Sequence, residues 1–265
     1  MEQPKNNIKL VSKKNSRVIL PNILTLIGVC IGLTSIKFSF DGNFQLAVIA
    51  VIVAGVIDGL DGRIARLIKG TSKVGKELDS LTDVISFGVA PAFIMYFWTL
   101  SELGRLGWLI SLIYVICVAL RLARFNVNSD QAPSWKDNFF QGVPSPAGGV
   151  IVLMPLIYSL SDIQIININY DVVVPTLFVI VSIFLISKLP TYSFKKISVP
   201  RNMTIFLLFG VVLYFGLILI YTFNTIVISG LIYFLMIPIS LFHYANLNKN
   251  SKVQDITSEE HEDIL

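Results

Sequence analysis

Charge is scarce in this chain of 265 residues. Asp, Glu, Lys and Arg make up 14% of it, against about 25% in soluble domains, which excludes an ordinary water-soluble globule. Cysteine is scarcer still: Cys30 and Cys117 are the only two, and both lie inside apolar stretches. A disulfide framework or a thiolate metal site therefore has no support, and the two cysteines read as small packing residues. The histidines, His243 and His261, stand apart from each other and from the acidic residues, so no imidazole ligand cluster is available either. Internal repeats are absent, as is any linker long enough to separate domains.

Apolar residues fill the chain instead. They account for 54% of it and gather in blocks of roughly 17–22, the length that crosses a hydrocarbon core of about 30 Å. The expected architecture is an all-α polytopic transmembrane bundle, with spans near 21–38, 43–62, 81–99, 106–124, 146–162, 172–190, 203–222 and 225–245. A basic arm over residues 1–20, carrying Lys5, Lys9, Lys13, Lys14 and Arg17, is expected to lie against anionic headgroups. It is not read as a secretory signal, which has a shorter apolar core and a small-residue cleavage site. Residues 21–245 form the transmembrane domain, and the polar stretch 246–265, ending in Glu259, Glu260, Glu262 and Asp263, is expected to be disordered.

The net charge of +4 does not speak for a nucleic-acid partner, because the basic residues fall in short loops between spans. With eight spans and a cytoplasmic amino terminus, every Lys and Arg except Lys37 and Arg105 falls on the cytoplasmic side. That bias orients membrane proteins, and it places both termini inside.

Against this background residues 58–83 stand out: DGLDGRIARLIKGTSKVGKELDSLTD. Asp58 and Asp61 are three apart near the end of the second span, and Asp79 and Asp83 are four apart at the start of the third. Each spacing puts a pair on one helical face, Cβ atoms about 5–6 Å apart, so two antiparallel helices can aim four carboxylates at one point. Uncompensated, such charges are costly at a membrane edge. Divalent cations remove the conflict: all-oxygen sites suit Mg²⁺, Mn²⁺ or Ca²⁺, and two ions about 3.5–4 Å apart can clamp a phosphoryl group. Gly59, Gly62 and Gly75 permit close approach of a helix or a ligand, and Arg66 can grip a phosphate through its planar fork. A cation channel or carboxylate transporter could also hold such aspartates, although the basic connector favours an anion.

Asp58, Asp61, Gly62, Ala65, Arg66, Gly75, Asp79 and Asp83 together spell D-x2-D-G-x2-A-R-x8-G-x3-D-x3-D. This is the signature of the CDP-alcohol phosphatidyltransferase family, which the chain resembles over its first six spans. Eight fixed positions arise by chance in a given window with a probability on the order of 10⁻¹⁰ at ordinary residue frequencies, so the match is specific. The resemblance implies that Asp58, Asp61, Asp79 and Asp83 ligate two ions, Mg²⁺ or Mn²⁺, with Asp83 also serving as general base. It implies that Gly62, Arg66 and Ser72 contact the CDP-lipid, along with Asn22 and Thr25 in Pro21-Asn22-Ile23-Leu24-Thr25. A plain helix start, with Pro near N1 and Asn22 and Thr25 as caps, reads that last stretch equally well. A homodimer, and an active site facing the cytoplasm from the cell (inner) membrane, are further implications.

Three more stretches bear on the acceptor alcohol: Val84-Ile85-Ser86-Phe87-Gly88-Val89-Ala90-Pro91, Arg121-Leu122-Ala123-Arg124-Phe125-Asn126 and Phe140-Gln141-Gly142-Val143-Pro144-Ser145-Pro146-Ala147. They resemble the membrane-type phosphatidylserine synthase branch, implying CDP-diacylglycerol as donor, L-serine as acceptor, and phosphatidylserine and CMP as products. Other acceptors in the family are glycerol 3-phosphate, inositol phosphate and choline, and an archaeal-type lipid donor is a further alternative. Each stretch also has a simpler reading. Ser86 to Pro91 shapes a kinked, closely packed helix, Arg121 and Arg124 snorkel from a span end or bind the acceptor's carboxylate, and Ser145-Pro146 caps a helix.

Overall fold

The structure, a computed structural model, describes residues 13–68, 70, 72–128, 139–165, 167–187, 190–192, 203–236 and 239–240. Most of the expected arm, the end of the last expected span and the whole 246–265 tail lie outside the described residues. Two compact units divide the chain, residues 1–123 and 124–265.

Long helices make up the first unit. α1 (Lys13–Phe40) and α2 (Phe44–Leu67) are joined by a tight turn in which Gly42 has φ +79°, the left-handed region that glycine enters without steric cost. The turn closes through Asn43 N–H donating to Phe38 O at 2.8 Å; the exposed Lys37–Asp41 ion pair beside it adds little. On α2 the buried residues Ala47, Val48, Ala50, Val51 and Ala54 recur at helical spacing, and the alanines let α1 lie close along that face. A rod then runs from Lys73 to Trp98 in three segments, α3 (Lys73–Asp83), a π-helical turn (Val84–Val89) and α4 (Ala90–Trp98). α1 packs against all three segments as well as against α2. A short 3₁₀ turn (Leu100–Leu103) leads into α5 (Arg105–Asn128).

The π-helical turn has an identifiable support. Pro91 has no N–H, so the carbonyl of Phe87, four residues earlier, lacks its α-helical donor. Tyr114 on α5, fully buried, donates its hydroxyl to that carbonyl at 2.7 Å. Gly88 packs against Val118 of α5, where a Cβ would come within 3.2 Å, and Gly32 of α1 lies against Ser86, where a Cβ would sit 2.6 Å from Oγ. Ser86 to Pro91 are thus closely packed around a π-helical turn.

Shorter apolar helices form the second unit: α6 (Ser145–Leu160), α7 (Tyr170–Ile186), α8 (Thr204–Ile220) and α9 (Thr222–Met236). α6 packs on α7, and α9 reaches α6 where Gly230 meets Met154 and where Asn224 exchanges hydrogen bonds with Asp162. α8 is apolar and buries none of its residues against the described ones. One small element departs from the all-helical expectation: β1 (Phe139–Gln141) pairs antiparallel with β2 (Pro190–Tyr192), Phe139 opposite Tyr192 and Gln141 opposite Pro190.

Among the described residues four helices are long and apolar enough to cross a bilayer, Ile19–Phe40, Phe44–Leu67, Lys73–Trp98 and Arg105–Val127, and the described part of each expected span coincides with an apolar helix. Several boundaries move. α1 begins before Pro21, so Pro21 and Asn22 lie inside a helix and do not start one; the missing proline N–H costs one hydrogen bond, not the helix. The third expected span begins more than two turns too late, because residues 73–80 are too polar for hydropathy to detect. α6 starts with Ser145 as its first helical residue and Pro144 in the cap position, without a side-chain cap bond, so Ser145 is not the cap.

Candidate active site

All four aspartates stand on the facing ends of two helices of the first unit. Asp58 and Asp61 lie in the last three turns of α2, and Asp79 and Asp83 lie in the second half of α3, inside the helix and not at its start. One carboxylate oxygen each from Asp58, Asp61 and Asp79 lie within 4.8 Å of one another. Asp83 sits deeper. Its carboxyl is within hydrogen-bonding reach of Asp58, while its Oδ1 is buried and has no hydrogen-bond partner. Arg121, also buried, approaches from α5 closely enough for charge–charge attraction with Asp83.

Asp61 has a partner on α1. Thr25 Oγ1 donates to Asp61 Oδ2 at 2.5 Å, with Pro21 O as a second acceptor at 3.0 Å. Neither residue is more than 5% exposed.

Beside the aspartates opens a cleft of about 630 Å³. Asn22, Thr25, Gly62, Arg66 and Ser72, the five residues expected to touch the CDP-lipid, all line it, together with Asp61 and Asp79. Local structure explains how they meet. Ser72 caps α3, its Oγ accepting from Gly75 N–H at 2.9 Å, and a Cβ on Gly75 would come within 2.9 Å of Asn22 Oδ1. Gly75 therefore lets α3 close on α1 and seals one wall. Gly62 borders the cleft itself, with nothing within 4 Å of a Cβ, whereas Gly59 faces open space and lines nothing. Arg66 leaves the last turn of α2, where a cation also suits the helix dipole.

Lys73 and Lys76 line the same cleft and were not singled out individually from the sequence, where they counted toward orientation and as part of the basic connector. They occupy the first turn of a helix that has no acidic residue there, the end at which the dipole disfavours cations. That placement makes sense where an anion is to be held. Tyr114 also escaped notice, since its partner is a backbone carbonyl.

The two arginines separate. Arg121 is buried in the body of α5, which excludes the snorkelling reading for it, and lies within electrostatic range of Asp83. Arg124 Nη1 donates to Ile186 O at 2.7 Å, satisfying a carbonyl at the end of α7.

An all-oxygen set of three converging carboxylates, with a fourth offering an unsatisfied buried oxygen, fits a hard divalent cation. Beside it, a basic cleft with a helix amino terminus in its wall fits phosphate. A family model for CDP-alcohol phosphatidyltransferase matches residues 18–235. The chain belongs to that family. Curated relatives agree. A Mycobacterium bovis protein named CDP-diacylglycerol–serine O-phosphatidyltransferase is 42% identical over 137 residues, 51% of this chain and 48% of its own length. A Helicobacter pylori protein of the same name is 34% identical over 194 residues, 73% of this chain and 79% of its own length. An archaetidylserine synthase from Methanothermobacter thermautotrophicus is 36% identical over 145 residues, 53% of this chain and 58% of its own length. The chain thus spans about half the length of the mycobacterial relative. As a member of the CDP-alcohol phosphatidyltransferase family, it carries the eight signature residues on two helices that meet at one cleft.

Proposed function

We propose that the protein is an integral membrane phosphatidyltransferase that moves the phosphatidyl group of CDP-diacylglycerol to the hydroxyl of L-serine, giving phosphatidylserine and CMP. The observation that carries this reading is the convergence of three carboxylates within 4.8 Å beside a cleft lined by Arg66, Ser72, Lys73 and Lys76. Serine as acceptor is supported by the names of the relatives and by buried Arg121 within electrostatic range of Asp83, since serine presents a carboxylate that a guanidinium binds through paired hydrogen bonds. The archaetidylserine synthase relative favours a second reading, in which the acceptor is the same and the donor is an archaeal-type lipid.

In this reading Asp58, Asp61, Asp79 and Asp83 hold two divalent ions, Mg²⁺ or Mn²⁺. Bound there, the ions supply charge neutralisation for the diphosphate. Arg66, Lys73 and Lys76 orient the phosphates, Asn22, Thr25, Gly62 and Ser72 border the nucleotide side, and Arg121 orients serine by its carboxylate. Arg124, which gives one N–H to Ile186 O, keeps further donors and is the second candidate for the acceptor's carboxylate. The serine oxygen attacks the lipid-side phosphorus, Asp83 takes its proton, and the bond to CMP breaks. Residues 21–245 act as one membrane domain of eight spans with both termini in the cytoplasm, the active site faces the cytoplasm from the inner membrane, and the working form is a homodimer.

The test is CMP release by the detergent-purified protein given CDP-diacylglycerol and Mg²⁺ or Mn²⁺, with serine, glycerol 3-phosphate, inositol phosphate and choline supplied separately. Release that requires serine is expected. Release with another alcohol alone would keep the aspartate chemistry and remove the acceptor assignment, and serine-dependent release only with an archaetidyl donor would establish the second reading.

A further inference from the structure

The family resemblance assigns Thr25 to the CDP-lipid, but its hydroxyl has a nearer commitment. A threonine hydroxyl has one proton, and two acceptors face this one, Asp61 Oδ2 at 2.5 Å and Pro21 O at 3.0 Å. The shorter contact has the length of a charge-assisted O–H···O⁻ bond, roughly twice as strong as a neutral one, so the proton belongs to Asp61. The frame around it is rigid. Thr25 is β-branched, which limits its χ1 freedom. One turn further along α1, Gly28 has its neighbours in Ile57 and Thr82, the residues adjoining Asp58 and Asp83. α1 is therefore wedged against both ligand-bearing helices at the level of the aspartates.

The geometry points to Thr25 as a positioning residue that fixes the Asp61 carboxylate for cation binding, in addition to lining the donor cleft. This rests on the metal reading of the aspartate cluster. Partners of this kind typically hold a ligand's orientation, and their loss costs about 10–100-fold in metal affinity. Thr25→Val keeps the shape and removes the proton; Thr25→Ser keeps the proton and removes a methyl group.

Mn²⁺ binding to the purified full-length protein, followed by electron paramagnetic resonance without donor or acceptor, tests the assignment. Thr25→Val should weaken Mn²⁺ binding about 10-fold or more with an unchanged elution profile in detergent, Thr25→Ser should stay near the parent, and Thr25→Val should add nothing in an Asp61→Asn background. Mn²⁺ affinity unchanged in Thr25→Val, with only the CDP-diacylglycerol requirement raised, would overturn the positioning role and leave a donor contact. Equal weakening in Thr25→Val and Thr25→Ser, or additive loss with Asp61→Asn, would overturn it as well. If the parent itself binds no Mn²⁺, the metal reading falls first and the positioning role with it, so the two failures are distinct.

Discussion

Asp83 and Arg121 carry the sharpest expectations among the side chains. Asp83→Asn is nearly isosteric but cannot accept the acceptor's proton, so transfer should fall by about 10²–10⁴-fold, the usual contribution of a positioned base, while CDP-diacylglycerol binding is largely spared. Turnover close to the parent rate, measured as CMP release, would remove Asp83 from the role of base. Arg121→Ala should raise the serine requirement far more than the lipid requirement. Arg124→Ala, which also loses the bond to Ile186 O, should do the same, and steady-state kinetics over serine concentration check each; an unchanged serine dependence in either variant would remove that arginine from the acceptor. The difference between these arginines could not be read from their spacing, because three residues apart is one face of a helix, and only the packing of α5 decides which of them is buried. The aspartates stood out in the sequence through their helical spacing, and Asn22, Thr25, Gly62, Arg66 and Ser72 through the family resemblance; all five border the cleft beside the aspartates. Lys73 and Lys76 did not stand out individually, since a lysine near a membrane surface satisfies the positive-inside rule whether or not it also faces a cleft.

The rod from Lys73 to Trp98 shows what a helix needs in order to change its hydrogen-bonding pattern beside an active site. Hydropathy located the apolar half of this rod and missed the start of α3, where Lys73, Gly75, Lys76 and Asp79 line the cleft. The proline at 91 and the small residues before it marked a disturbed helix in the sequence. What replaces the lost donor is not written locally: the Tyr114 hydroxyl comes from another helix, 27 residues away in sequence. Tyr114→Phe keeps the ring and strands the buried Phe87 carbonyl, which should destabilise the protein by about 1–3 kcal/mol. A lower unfolding temperature in detergent is the expected readout. Because the π-helical turn begins at the residue after Asp83, a fall in turnover should accompany it without a matching change in the serine or lipid requirement. An unfolding temperature equal to the parent's would mean that the carbonyl finds another donor.

Eight apolar blocks anticipated eight helices, yet the helices fall into two sets. Four satisfy the length of a full bilayer crossing, and α6 to α9 have 15 to 17 residues in helical form, or about 23–26 Å at 1.5 Å per residue against a core of about 30 Å. Length alone therefore does not fix how the second set sits in the membrane, and the orientation of the first set is a proposal that rests on the distribution of Lys and Arg. In the proposed topology the α1–α2 turn faces outward and the start of α3 faces the cytoplasm, a difference that single cysteines can report. Asn43 is exposed and makes no side-chain cap bond, and Val74 is 73% exposed on α3 without lining the cleft, so neither substitution should disturb the fold. In a background with Cys30 and Cys117 changed to serine, a membrane-impermeant maleimide should label Asn43→Cys in intact cells and Val74→Cys only after permeabilisation. The reverse pattern would invert the protein and put the cleft on the side away from cytosolic serine. Labelling of both sites in intact cells would mean that α2 does not cross the membrane, a result that the apolar length of Phe44–Leu67 argues against, because an unspanned helix of that composition would leave its lipid-facing side in water.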